Sequence, residues 1–140
     1  MKTFEDGIIP WISIANPKAE LGNLMDADKI VVPSTTATII IDYPLNFPAT
    51  FEIKTTGQGF SRKQLILEIS TRYYEIYKLE ESTATTKTLP VDKREGLINR
   101  NETNGKFGVC CHDITDLDLS EIEVHKNLNG QITLTLRVES

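Results

Sequence analysis

The sequence predicts an α+β fold, in which one long helix packs on one face of an antiparallel sheet of four to five strands. A central segment has the hydrophobic spacing of a helix, and a pair of strand-like segments lies on each side of it. The links within each pair are short, which favours antiparallel hairpins. A doubly wound parallel sheet is disfavoured because it needs a crossover helix between strands.

The predicted helix begins near Ser61 and runs to about Glu81. Ser61 and Gln64 match a capping box, in which each side chain accepts a hydrogen bond from the other residue's backbone. Apolar residues then recur at spacings of three and four, which places them on one face of the helix. They are Leu65, Ile66, Ile69, Tyr73, Ile76 and Tyr77. We interpret the tyrosines as core residues with their hydroxyl groups at the edge of the core.

The hairpins are predicted from residue type and turn chemistry. The N-terminal hairpin joins residues 36–43 to 49–55 through a link bounded by prolines, and the C-terminal hairpin ends on residues 131–138 after Asn129-Gly130. Before that turn, Leu117 and Leu119 differ in parity from Ile122 and Val124, so a bulge is expected near Ser120-Glu121. Residues 107–111 are a candidate for a further strand.

Length and composition predict a single domain, residues 1–140. Apolar residues make up 39% of the chain and charged residues 25%, which is typical of a packed globular protein. Residues 1–35 are expected to form an irregular N-terminal segment, because prolines interrupt them. Residues 82–104 are polar and are expected to form a mobile loop.

Charge and hydropathy restrict the partners. The net charge of -5 disfavours nucleic acid as a partner, and the chain has no run of about 18 apolar residues that could span a membrane. The only two cysteines are adjacent, so they cannot form a spaced disulfide framework; a reducing, cytoplasmic location is expected. The alternative is secretion, with cleavage after Ala15 and a glycosylation sequon at Asn101, and we disfavour it.

The most versatile side chains lie between Gly105 and Asp118. In a strand, Cys110 and His112 would share one face and Cys111 would lie on the other, which permits a thiolate–imidazole pair. No orienting third group is evident, so we favour buried cysteines over catalytic ones; a vicinal disulfide is the further alternative. His112 and Asp113 remain the candidates for catalysis.

Three carboxylates follow in the same segment, Asp113, Asp116 and Asp118. They are candidate metal ligands, although their spacing matches neither a zinc nor a calcium signature. Arg100, Asp116 and Asp118 are candidate binding residues. We favour carboxylates that are solvated or neutralised by Arg100 or Arg94, with Asp113 in a structural turn. No cofactor is evident, and a divalent cation is the alternative.

Several strings resemble a small family of uncharacterised eukaryotic-type proteins with no assigned activity. They are Asp42-Tyr43-Pro44-Leu45, Phe60 to Leu65, Tyr77, Asn99-Arg100-Asn101 and Gly105 to Leu117. The resemblance spans roughly residues 38–138 and implies one continuous domain. It implies a shared structural or functional role for His112-Asp113. The chain departs from the family pattern at Cys110 and Cys111, so the resemblance implies no shared thiol chemistry.

Together these features favour a small soluble intracellular binding or scaffold module. Its expected partner is a protein, which could be a second copy of the chain. The alternative is a small metal-assisted or acid/base enzyme, hydrolase-like, centred on His112 and Asp113.

Overall fold

The computed structural model describes residues 12–96 and 100–140. Within these ranges the chain has an α+β fold, as predicted. The strands and the α helix are β1 (Ile12–Ser13), β2 (Ile30–Val32), β3 (Thr36–Ile41), β4 (Ala49–Lys54), β5 (Phe60–Ser61), α1 (Arg62–Thr83), β6 (Asp118–Lys126) and β7 (Ile132–Glu139). Short 3-10 helices lie at Pro17–Ala19, Leu21–Asn23, Val91–Lys93 and Ile114–Asp116. No helix in the described ranges is long and apolar enough to cross a membrane.

The main sheet has five strands in the order β1-β6-β7-β3-β4, and it contains both predicted hairpins. The prediction of a purely antiparallel sheet is wrong, because β3 and β7 pair in parallel, with Ile39 opposite Leu134. Short links dictate antiparallel pairing only within each hairpin. The hairpins are joined by α1 and the long segment after it, so no short link restricts how β7 meets β3. A separate small sheet pairs β2 with β5.

The fifth strand is β1, and the strand predicted at residues 107–111 is not formed. Strand β1 pairs antiparallel with the start of β6. Among the described residues, the segment 107–111 makes two isolated bridges, Leu45 to Val109 and Arg100 to Cys111. Gly108 has a φ of +63°, which turns the chain out of the extended conformation at this point.

Helix α1 begins at the predicted cap. The Ser61 hydroxyl accepts a hydrogen bond from the Gln64 N–H at 3.1 Å, and Gln64 Oε1 accepts one from the Ser61 N–H at 2.8 Å, which confirms the capping box. The buried face of the helix contains the predicted residues Leu65, Ile66, Ile69, Tyr73 and Ile76. It also contains Glu80, a charged residue on an otherwise mainly apolar face.

The buried side chains of the sheet and of α1 form one hydrophobic cluster. From the sheet it includes Ile39, Ile41, Ile53, Leu119, Ile122 and Leu134. The pairing of β6 with β7 shifts between Leu119 and Glu121, which confirms the predicted bulge. This shift lets Leu119 and Ile122 both be buried, although they differ in parity. On the other face of the sheet, polar residues are neighbours across the strands, as with Thr38 beside Glu52 and Thr133.

Two segments were predicted to lack regular structure. In the N-terminal segment, residues 12–35 contain β1, β2 and two 3-10 helices, whereas residues 1–11 lie outside the described residues. In the segment 82–104, Asn104 Oδ1 accepts hydrogen bonds from the N–H groups of Thr85 and Thr86, and Asn101 Oδ1 accepts one from Leu89. Residues 97–99 lie outside the described residues, and the mobility of this segment stays a prediction.

We expect Ser61→Ala to lower the free energy of unfolding by about 1 kcal/mol, because the Gln64 N–H loses its acceptor at the start of α1. Urea titration followed by circular dichroism measures the change. Ser82→Ala is the matched control, since the exposed Ser82 hydroxyl donates only to the Leu79 carbonyl at the other end of the helix. An equal loss in both variants would contradict a specific role for the cap.

Candidate functional site

A cleft of about 320 Å³ is the candidate site. Residues 42–46, at the turn of the β3–β4 hairpin, form one wall, and residues 110–112 form the other. Of the candidate residues predicted from the sequence, only His112 lines the cleft; Arg100, Asp113, Asp116 and Asp118 do not. The two walls come from distant parts of the chain, so their contacts decide the shape of the site.

The first wall is held by a hydrogen bond from α1 and by hydrogen bonds to residues 107 and 108. The peptide between Tyr43 and Pro44 is cis. The buried Tyr73 hydroxyl donates a hydrogen bond to the Tyr43 carbonyl at 2.7 Å, and burial raises the pKa of Tyr73 well above its ordinary value. The N–H of Asn46 donates to the Gly108 carbonyl at 2.8 Å. The first wall is therefore hydrogen-bonded to Gly108, which lies two residues before the second wall.

The second wall is a tight turn, which corrects the predicted strand. The N–H of Cys110 donates to the Pro44 carbonyl at 3.0 Å, and the N–H of His112 donates to the Cys110 carbonyl at 2.8 Å. Cys111, between them, has a φ of +77°. The prediction of buried cysteines is wrong for Cys111, which is exposed, and the two side chains do not point to opposite faces. Their sulfur atoms are joined in a vicinal disulfide, which was the alternative. The alternation of side chains expected of a strand is lost because the chain turns at Cys111.

His112 is held by contacts with three parts of the chain, and the residue lines the cleft. Its Nε2 lies 3.3 Å from the Ser140 hydroxyl, which in turn lies 2.7 Å from the Tyr43 hydroxyl. Its Nδ1 is shielded from solvent, has no hydrogen-bond partner among the described residues and lies 3.8 Å from Asp116 Oδ2. The Tyr77 hydroxyl donates to the His112 carbonyl at 2.8 Å, and burial raises the pKa of Tyr77 above its ordinary value despite the nearby Arg100. These contacts orient His112 but provide no carboxylate hydrogen bond for it.

Asp113 points away from the imidazole and towards two arginines. Arg94 Nη1 contacts Asp113 Oδ2 at 2.5 Å, and Arg94 Nη2 donates to Oδ1 at 3.4 Å. Arg100 Nε lies 3.8 Å from Oδ1. The side chains of His112 and Asp113 therefore diverge, and the Asp113 carboxylate is bound to guanidinium groups.

Arg100 is a buried structural residue, with 2% of its surface exposed. Its guanidinium donates to the Val109 carbonyl at 3.0 Å and to the Thr88 hydroxyl at 2.8 Å, and lies over the Tyr77 ring at 5.5 Å. A buried guanidinium is stable where its donors are satisfied and a carboxylate lies nearby. Arg100 thus connects the loop before the second wall to the body of the protein.

The remaining carboxylates do not converge. Asp116 Oδ2 accepts a hydrogen bond from the Asp113 N–H at 3.0 Å, so it closes the turn at Ile114–Asp116. Asp118 begins β6 and is paired with Ser13 and Glu139 in the sheet. Within residues 12–96 and 100–140, no three His, Cys, Asp or Glu side chains are placed so that they could hold a metal ion.

Glu80 is the residue that sequence reasoning missed. Its side chain is completely buried. Oε1 accepts hydrogen bonds from the N–H groups of Phe107 and Gly108 at 2.9 and 3.1 Å. Oε2 accepts from the Gly105 and Val109 N–H groups at 2.8 and 3.3 Å and from the Thr103 hydroxyl at 2.6 Å. A glutamate seven residues after Tyr73, on the apolar face of the helix, was the signal that could have identified it.

The environment of Glu80 keeps it ionised. Burial alone would raise the pKa of the carboxyl group, but the hydrogen bonds from Thr103 and from the backbone of Phe107, Gly105 and Val109 outweigh it and lower the pKa below the ordinary value of 4.5. Hydrogen bonds to the charged form stabilise that form. The loop 103–109 is therefore wrapped around a negative charge.

Two glycines allow the loop to approach Glu80 so closely. A Cβ on Gly105 would lie 2.6 Å from the Glu80 carbonyl, and one on Gly108 would lie 2.8 Å from Asn46 Nδ2. Any larger residue at these positions would displace the loop from the helix or from the first wall.

Thr103 belongs to the sequon at Asn101, and its burial against Glu80 leaves its hydroxyl inaccessible.

Comparison with protein-family models, with curated proteins and with solved structures found no match. The function is therefore inferred from the cleft and from the contacts that shape it.

We expect Glu80→Gln to lower the free energy of unfolding at pH 7 by about 3 kcal/mol, because an amide group replaces one acceptor oxygen and faces backbone N–H donors. Thermal and urea unfolding measure the change. Glu102→Gln is the matched control, since Glu102 is exposed in the same loop. Similar losses in both variants would contradict the assignment of Glu80 as the anchor of the loop.

We also expect the contribution of Glu80 to the free energy of unfolding to depend on pH. Its pKa is lower in the folded state, so its contribution to stability is complete above the unfolded value near 4.5 and is lost as the pH falls through the folded value. The difference in free energy of unfolding between the wild type and Glu80→Gln should shrink over this range. Urea titrations from pH 6 downward test this, and a constant difference would contradict it.

Proposed function

We propose that this protein is a small binding module whose cleft accepts an apolar or aromatic side chain of a protein partner. The observation that carries the proposal is the cleft together with the exposed aromatic residues beside it. Tyr43 lines the cleft and is 36% exposed, and Phe47, just beyond the first wall, is 62% exposed. Exposed aromatic side chains next to a pocket are typical of the residues that dominate binding energy in protein interfaces.

The support beneath the cleft favours binding over a fortuitous surface depression. Pro44 accepts a hydrogen bond from Cys110 across the cleft, and Tyr73 and Glu80 hold the backbone of the two sides from within. Side chains and loops that are already ordered lose less entropy when a partner binds. Such preorganisation favours a site that accepts its partner without rearrangement.

The size and charge of the cleft restrict its occupant. A volume of about 320 Å³ is at the lower end of the range for small-molecule sites, and it suits one or two side chains of a partner segment. The exposed Asp42 lines the cleft, and the chain has a net charge of -5. A partner with basic residues next to the inserted side chain would therefore associate faster.

A binding module is favoured over an acid/base enzyme by the contacts of the two predicted catalytic residues. Asp113 is bound to Arg94 and Arg100, and His112 Nδ1 is 3.8 Å from Asp116, beyond hydrogen-bond distance. In a catalytic triad the histidine base is oriented by a hydrogen bond to a carboxylate, and His112 lacks that contact with Asp113 and with Asp116. A cytoplasmic location and the choice of a protein partner, which includes a second copy of this chain, are part of this proposal.

We expect Phe47→Ser to weaken partner binding about tenfold, which corresponds to about 1.4 kcal/mol and lies within the range for an aromatic residue that contributes strongly to an interface. Proteins captured by immobilised wild-type protein would be identified first, and calorimetry would then give the dissociation constant for each variant. Phe47 is largely exposed, so its replacement should leave the thermal midpoint nearly unchanged.

Leu128→Ser is the matched control for that experiment, because Leu128 is a fully exposed apolar residue at the tip of the β6–β7 hairpin. It should bind as the wild type does. Equal binding by the Phe47 and Leu128 variants, or recovery of free monomer alone from native extracts, would overturn the proposal.

A further inference from the structure

The vicinal cysteine pair is the part of the cleft that the proposed function does not use. Cys110 and Cys111 both line the cleft, and Cys111 is exposed to solvent. Their sulfur atoms are bonded to each other, and because Cys111 is exposed, thiols from solution can reach the bond there. Disulfides that are exposed are the ones that undergo exchange most readily.

The backbone at this pair is held in an uncommon conformation. Cys111 has a φ of +77°, in the region that residues with a Cβ rarely adopt, and it is the central residue of a turn closed by the His112 N–H on the Cys110 carbonyl. Such a conformation persists only where its surroundings hold it. The bond between the two sulfur atoms is one of the restraints, together with the hydrogen bond from Cys110 to Pro44.

His112 follows the turn directly, so the turn determines where the imidazole lies. With the pair oxidised, His112 Nε2 lies 3.3 Å from the Ser140 hydroxyl. If the sulfur–sulfur bond opens, Cys111 can return to a negative φ, and the direction of the chain into His112 changes. The cleft would then change shape at His112, one of the residues that line it.

We propose that Cys110 and Cys111 form a thiol–disulfide redox site, with thiols such as glutathione as the reductant, and that its oxidation state sets the position of His112 in the cleft. The effect on partner binding rests on the proposed function; the redox chemistry and the movement of His112 do not. The proposed redox site consists of these two cysteines.

Reduction of the disulfide by glutathione consumes two thiols. A glutathione thiolate attacks Cys111 Sγ, the bond between the cysteines breaks, and its electron pair passes to Cys110 Sγ, which takes up a proton. A second glutathione thiolate attacks the glutathione sulfur of the mixed disulfide and releases the Cys111 thiolate, which is protonated in turn. The protein gains two electrons and two protons, and two glutathione molecules become one oxidised glutathione. Oxidation is the reverse.

The test uses the full chain in glutathione buffers of increasing reducing strength. Rapid alkylation followed by mass measurement of the intact protein counts free thiols, and the imidazole proton–carbon correlation spectrum follows the two histidines. We expect no alkyl groups at the oxidised end and two at the reduced end. The His112 signals should move in step with alkylation.

His125 provides an internal control, because it lies on β6 and contacts Thr135, away from the cleft. Its signals should stay unchanged. In the double variant Cys110→Ser/Cys111→Ser, the His112 signals should no longer respond to the buffer. Two alkyl groups in every buffer, or His112 signals that do not move when the pair is reduced, would overturn the proposal. Either result is independent of whether Phe47→Ser weakens partner binding.

Discussion

The buried carboxylate of Glu80 is the interaction on which the rest of the site depends. It receives four backbone hydrogen bonds and one hydroxyl hydrogen bond from residues 103–109, which by themselves form no regular structure. Burial of an unpaired charge is costly, and removal of the charge would leave several buried N–H groups without an acceptor. Helix α1 and the loop 103–109 therefore stabilise each other: the loop supplies the donors that the buried carboxylate needs, and the carboxylate supplies the acceptor that the loop needs.

Hydrogen bonds connect the Glu80 carboxylate to the residues that form the cleft. Gly108, held by Glu80, accepts a hydrogen bond from Asn46 of the first wall. Val109 also donates a hydrogen bond to Glu80, and its carbonyl accepts one from Arg100. The Arg100 guanidinium lies near Asp113, the residue that follows the second wall. The negative charge of Glu80 and the positive charge of Arg100 are buried in one hydrogen-bonded network through Thr103. Such a network rigidifies a surface that would otherwise be a loop.

Local features of the sequence predicted helix α1 and both hairpins. The capping box at Ser61, the two hairpins and the bulge between Leu119 and Glu121 follow from residue types and spacings within a few residues of each other. The acidic residues after His112 were predicted as a group, yet they serve separate contacts: Asp113 binds arginines, Asp116 closes a turn and Asp118 lies in a strand. Proximity in sequence did not become convergence in space, because successive residues in this segment point in different directions.

By itself, the sequence determined helix α1 with its cap, the strands of the two hairpins and their hydrophobic faces, since these depend on short-range sterics, hydrogen bonding and periodicity. Only the tertiary structure decided the parallel pairing of β3 with β7, the burial of Glu80 and the cleft between residues 42–46 and 110–112. Each of these joins segments far apart in the chain. Whether such a contact forms depends on the packing of the whole core and on which buried polar groups can satisfy one another, and neither is encoded in a local pattern.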